Sequence, residues 1–335
     1  MSAKSYCVKS VRKSFLGFLA MAVLLGTAVA QTFPVKPVTL MVPYPPGGLS
    51  DVIARRVNPQ LSKSLGQPVL VDNLGGASGS IAAQKVLNAP SDGYLVFQGS
   101  PNELIFAPLA ISTVKYKPED FRQIHRVGMA PMAIMARADL PANNADELVA
   151  YAIKAAKEGK SMTYASVGIG SFYHLLGEQM SKVIGASMLH VPYKGAADVV
   201  KDMMGGQVDI FISPYGAPQV ELSKSGKIKF IAALSPSRGP LLPQLASTTE
   251  SKLLKTFTAE IGTGYFVKRD TPEPVVQALH KAIQAVMVDP EFKTSIVALG
   301  QEMSPLQSLE AANKAYSDEI AQYRAIAKSI NLQPQ

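Results

Sequence analysis

Short apolar runs alternate along most of the chain with longer stretches in which apolar side chains recur every three or four positions. The short runs predict strands at residues 38–42, 68–71, 94–98, 132–136, 162–165, 188–191, 209–212, 228–233 and 265–267. The longer stretches predict helices at 51–65, 80–88, 145–158, 171–184, 196–205, 217–225, 272–288 and 309–330. Short strands alternating with helices of several turns point to an α/β fold of mostly parallel sheets, covered on both faces. No short-period repeat or low-complexity tract interrupts the pattern.

Two loop-like stretches, residues 137–144 and 235–240, are rich in Pro, Gly and small polar residues. They bracket a segment that has a strand–helix series of its own. The expected organisation is a discontinuous first domain, residues 31–132 and 236–335, with a second domain inserted at 133–235. Ligands in such architectures sit at the carboxyl ends of strands, in the cleft between domains.

The N-terminus changes the picture of location. Lys4, Lys9, Arg12 and Lys13 precede an apolar run at residues 15–25, and Ala28-Val29-Ala30 supplies small residues before a cleavage point. The run is shorter than the about 20 residues that a membrane span needs. A signal peptide over residues 1–30 is therefore expected, exporting the mature chain to the Gram-negative periplasm. These residues hold four basic and no acidic side chains, so their removal halves the formal charge of +8. What remains gives little support to nucleic-acid binding. Cys7 is the single cysteine and leaves with the leader, so no disulfide framework or lipid anchor is expected.

Candidate chemistry concentrates in loops between strand and helix. Tyr44-Pro45-Pro46-Gly47-Gly48-Leu49-Ser50-Asp51 stops one strand with prolines and frees backbone N–H groups at its glycines. Ser50 or Asp51 can then cap the following helix. Unpaired N–H groups and a helix dipole together hold an anion, although a capped helix after a tight turn has the same residues. The loop at residues 163–171 repeats the arrangement with Ser166, Gly168, Gly170 and Ser171, and again either reading fits. As a dinucleotide fingerprint it fails, because Tyr173 stands where the third glycine belongs. A third glycine loop, residues 72–80, lacks the Gly-Lys-Ser/Thr of a P-loop.

Catalytic constellations are thin. There is no Gly-x-Ser-x-Gly elbow, and His125, His174, His190 and His280 show no metal-ligand spacing, so no metal and no cofactor is expected. His174 follows the second loop, where it can bond the loop or act as a base. Asp51 either caps its helix or meets a cationic or hydroxyl group of a ligand. An enzyme using one of these two as a general base is the competing reading.

Several blocks, in order and spacing, resemble the substrate-binding proteins of tripartite tricarboxylate transporters, the Bug family, along nearly the whole mature length. They are Pro45 to Asp51 with Ala54-Arg55, Leu65-Gly66-Gln67-Pro68-Val69, and Asp92-Gly93-Tyr94. Further along come Tyr164 to Gly170 with His174, His190 to Gly195, and Gly205-Gly206-Gln207-Val208-Asp209. The resemblance implies a type II periplasmic binding-protein fold, two α/β domains closing on a small carboxylate, with no catalysis. It implies a ligand site at Pro46, Gly47, Gly48, Ser50, Asp51, Ser166, Gly168, Gly170, Ser171, His174 and Ser213. The partners it implies are a di- or tricarboxylate, acidic amino acid or aromatic acid, the permease subunits of a membrane transporter, and in some members a sensor kinase. Ser213-Pro214-Tyr215 stands where a polar Asp-Asn-like pair is common, which leaves ligand identity open; Tyr215 and Phe172 suggest a flatter acid.

Overall fold

The structure, a computed structural model, describes residues 33–335 apart from Pro240, Ile330, Asn331 and Gln335; the expected leader lies outside these residues. Lys36–Gln335 form one unit built on two sheets that share a long strand.

The first sheet begins with β1 (Val38–Val42), in which all residues but Thr39 are buried. It lies parallel between β2 (Val69–Asn73) and β3 (Leu95–Gly99), joined through α1 (Leu49–Leu65) and α2 (Ser80–Asn88). The second sheet places β5 (Thr163–Ser166) parallel between β6 (Leu189–Pro192) and β7 (Ile210–Pro214). Its helices are α4 (Ala145–Lys157), α5 (Phe172–Ile184), α6 (Ala196–Met204) and α7 (Ala217–Lys224). Before these comes a buried π-helical turn, Asn102–Phe106, running into the short α3 (Ala107–Ala110).

Strand β4 (Phe121–Arg137) ties the two sheets together. Its first part pairs antiparallel with β9 (Glu260–Lys268), which in turn pairs antiparallel with β3. Its last residues pair antiparallel with β7 and with β8 (Ile228–Ala233). The short β10 (Glu302–Met303) adds to β4 at Gly128–Met129. The C-terminal helices α8 (Glu273–Val288), α9 (Pro290–Ala298) and α10 (Leu309–Ser329) complete the first half.

The expectation of mostly parallel sheets holds only at the two ends of this arrangement. The centre is antiparallel because the chain passes from one half to the other and back, and the passing strands lie side by side. The first part of β4 escaped the apolar pattern because two of its buried positions are Gln123 and His125. His125 Nδ1 lies 2.6 Å from the Arg126 carbonyl, and its ring stacks on His280, whose Nδ1 meets the Ile124 carbonyl. Burial without regular alternation hides a strand from a period-two reading.

Candidate ligand-binding site

Where β1 ends, Gly47 adopts φ +87°, a left-handed conformation that favours glycine, and Gly48 becomes the N-cap of α1. Gly48 has no side chain to cap with, so the first amides of α1 are left without intrahelical acceptors. The capping role expected for Ser50 or Asp51 is not taken up, since both lie inside the first turn. Asp51 turns back instead: its Oδ2 accepts from Gly47 N and from Arg55 Nε, each at 3.0 Å. Burial pushes its carboxyl up, but the Arg55 and Gly47 hydrogen bonds outweigh this and hold it below the usual value. Asp51 thereby stiffens the loop from behind.

The first loop forms one wall of a cavity of about 360 Å³, inside the range of small-molecule pockets. Pro46, Gly47, Gly48 and Ser50 line it from the first half, and Ser213 lines it from the end of β7. Facing them, α6 starts at the N-cap Gly195, again without a side-chain cap, and Ala196, Ala197 and Asp198 reach the same space. Helix N-termini from both halves thus meet one cavity, where their free amides and dipoles favour an anion. The lining contains no lysine or arginine. Ser100, Tyr173, Gln219 and Thr263 add polar groups.

Asp51, Ser166, Gly168, Gly170, Ser171 and His174 do not line the cavity. The second loop spends its polar groups on itself. Ser166 Oγ donates to the Gly168 carbonyl and lies 2.7 Å from His190 Nε2, while Ser171 Oγ caps α5 by accepting from His174 N. Gly170 N donates to His174 Nδ1 at 3.1 Å, and the His174 ring stacks on His190 with centroids 4.0 Å apart. The loop also presses on the third glycine loop, where Ser78 Oγ donates to the Ile169 carbonyl at 2.8 Å. Its glycines permit that approach: a Cβ on Gly168 would lie 2.9 Å from Ser78 Oγ, and one on Gly170 2.8 Å from Ala110 Cβ.

Three loops are knotted together by a residue the sequence reading missed. Asn102 is fully buried; its Oδ1 accepts from Phe172 N at 2.7 Å, and its Nδ2 donates to Tyr44 Oη and to the Ser78 carbonyl. It went unnoticed because Asn102–Phe106 carries no helical period. The start of α6 could have been found, since Gly195 follows a strand and opens a helix just as Gly48 does. Phe172 and Tyr215, the residues behind a flatter acid, do not line the cavity. Phe172 stacks on Phe106 at 5.0 Å and Tyr215 packs on Phe230 at 5.0 Å.

A sequence profile described as "Tripartite tricarboxylate transporter family receptor" matches residues 53–332. Among solved structures, the periplasmic binding protein BugD is 33% identical with a TM-score of 0.84, covering 90% of this chain and 100% of its own. MatC from Rhodopseudomonas palustris, solved with malate bound, is 26% identical with a TM-score of 0.80 over 88% of this chain and 99% of its own. Another R. palustris protein, solved with adipate, is 28% identical with a TM-score of 0.83 over 90% of this chain and 100% of its own.

Proposed function

The chain belongs to the tripartite tricarboxylate transporter receptor family, and from that premise we propose that it is an exported carrier of one small carboxylate. The family is one of periplasmic solute-binding proteins and not of enzymes. In this reading the leader at residues 1–30 is removed after Ala30. The mature protein binds its ligand in the periplasm and hands it to the permease of a secondary transporter. The binding domains are residues 31–132 with 236–335, and 133–235, hinged where β4 passes between the sheets.

The observation that carries this reading is the convergence of α1 and α6, from opposite halves, on one cavity with no basic side chain. A carboxylate is held there by amides of Leu49, Ser50, Ala196 and Ala197 and by the Ser50 and Thr263 hydroxyls. Charge-assisted bonds of this kind are stronger than neutral ones and need no lysine. Asp51, Ser166, Gly168, Gly170, Ser171 and His174 then serve the site by shaping its two loops. That relatives were solved with malate and with adipate supports a dicarboxylate as the occupant here.

The test is a thermal-shift screen of the purified mature protein against four- to six-carbon di- and tricarboxylates. A ligand at about 100 times its dissociation constant adds about 2.7 kcal/mol of stability, an upward shift in Tm of a few degrees. Stabilisation by carboxylates but not by their amides is expected. A flat response across the whole panel would refute the reading.

A further inference from the structure

Behind the cavity wall lies a buried carboxyl group that forms no ion pair among the described residues. Glu103 is 1% exposed, within the π-helical turn Asn102–Phe106. Its Oε1 accepts from the Ser100 amide. Its Oε2 accepts two hydroxyl protons, from Tyr44 Oη at 3.0 Å and from Ser100 Oγ at 3.0 Å. Tyr44 and Ser100 both line the cavity.

A hydroxyl has one proton, and in both residues it is committed to Glu103. Each oxygen also accepts from Asn102: Tyr44 Oη from its side-chain Nδ2 and Ser100 Oγ from its backbone N. Any bond that Tyr44 or Ser100 makes to a ligand is therefore one it accepts. The helix N-termini that reach the same cavity offer donors. The cavity thus offers both donors for a carboxylate and acceptors for a ligand's own proton.

We propose that Glu103 is a positioning residue for specificity: by fixing the Tyr44 and Ser100 hydroxyls as acceptors, it makes the site prefer carboxylates that carry a hydroxyl or ammonium donor. The inference rests on the carboxylate-binding reading above. It concerns which carboxylate is favoured and not whether one binds. A ligand with only methylenes at that position leaves buried acceptors unpaired, which costs more than a single bond gains.

The charge state of Glu103 sets the direction of the effect. The titratable groups around it are the hydroxyls of Tyr44, Tyr116, Tyr173 and Tyr316, all raised above their ordinary values and so neutral. Burial pushes the Glu103 carboxyl up to about 7. Below that pH the carboxyl carries its own proton, which goes on Oε2 because the Ser100 amide holds Oε1. One hydroxyl proton is then released toward the cavity.

The experiment compares succinate, malate and aspartate, which share a four-carbon diacid skeleton and differ by hydrogen, hydroxyl or ammonium. Affinities are measured by calorimetry at about pH 6 and about pH 8.5, on either side of the Glu103 transition. For the natural protein we expect a preference of about tenfold or more for malate or aspartate over succinate, larger at the higher pH. Glu103→Gln keeps the shape; the Ser100 amide holds the new amide's oxygen and turns its NH₂ toward both hydroxyls. Their protons are freed, so the preference should fall to near unity at both pH values, while succinate binding is kept. Tyr44→Phe removes one acceptor together with one of the two hydroxyl donors to Glu103 Oε2, leaves Ser100 Oγ in place, and should lower the preference while succinate still binds. No preference in the natural protein, or an unchanged preference and pH profile in both variants, overturns the inference alone. Failure of all three diacids to bind overturns the carboxylate reading as well.

Discussion

At the scale of single residues, two buried polar groups carry most of the organisation. Asn102 satisfies Phe172 N, Tyr44 Oη and the Ser78 carbonyl at once. Asn102→Ala strands all three, and we expect a loss of about 3 kcal/mol in urea unfolding, against about 1 kcal/mol for an ordinary lost bond. The stacked pair His174 and His190 makes the second loop sensitive to acid. Burial, and then the neighbouring His174, push the His190 ring from 6.5 down to about 4; burial also lowers His174. The His190 ring is neutral when folded, so its contribution is complete above pH 6.5 and is lost as the pH falls from 6.5 toward 4; the lowered His174 acts in the same direction. Protonating His174 would also place a proton on the Nδ1 that accepts from Gly170 N. Thermal melts across that window should fall less steeply in His190→Gln than in the natural protein; equal slopes would show that the ring does not titrate on unfolding.

At the scale of elements, the decisive feature is a cavity-lining proline packed against two glycines from different loops. A Cβ on Gly195, the N-cap of α6, would lie 2.8 Å from Pro45 Cδ, and one on Gly75 would lie equally close. Gly195 has φ −171° and ψ 163°, extended backbone open to any residue, so only the contact with Pro45 demands glycine there. Gly195→Val should leave the unliganded protein folded and weaken carboxylate binding by about tenfold or more, because α6 can no longer reach the first loop. Adding Pro45→Ala to the same protein should restore part of the affinity. Binding unaffected by Gly195→Val would show that the α6 terminus is not part of the site.

At the scale of the molecule, the two sheets are continuous through β4, so the halves can rotate about a strand that stays paired on both sides. The contacts that join them away from β4 include, beside the stacked rings of Phe106 and Phe172, hydrogen bonds such as Ser78 to Ile169 and Asn102 to Phe172. Bonds of this kind break and reform at modest cost compared with an apolar interface. Small-angle scattering should therefore show a smaller radius of gyration with bound carboxylate than without. An identical radius in both states, with binding verified, would mean that the cavity forms without closure.

Much of the architecture is legible along the chain because it follows from local rules. The apolar run of β1, the proline stop at Pro45-Pro46, the left-handed Gly47 and the helix behind it need only neighbouring residues to be foreseen. The same holds for residues 80–88 and 228–233, where the predicted helix and strand match α2 and β8. Tertiary structure decided the direction in which each loop turns its free groups. Two loops that each carry two glycines and a serine lead from a strand into a helix, yet the first faces the cavity while the polar groups of the second are consumed by His174, His190 and Ser78. It also decided that α6 reaches the same cavity and that Glu103 is buried without an ion pair among the described residues. Local sequence sets backbone geometry through sterics and capping. Whether an amide or a carboxyl meets solvent, ligand or another loop depends on packing partners up to ninety residues away, such as Ser78 and Ile169.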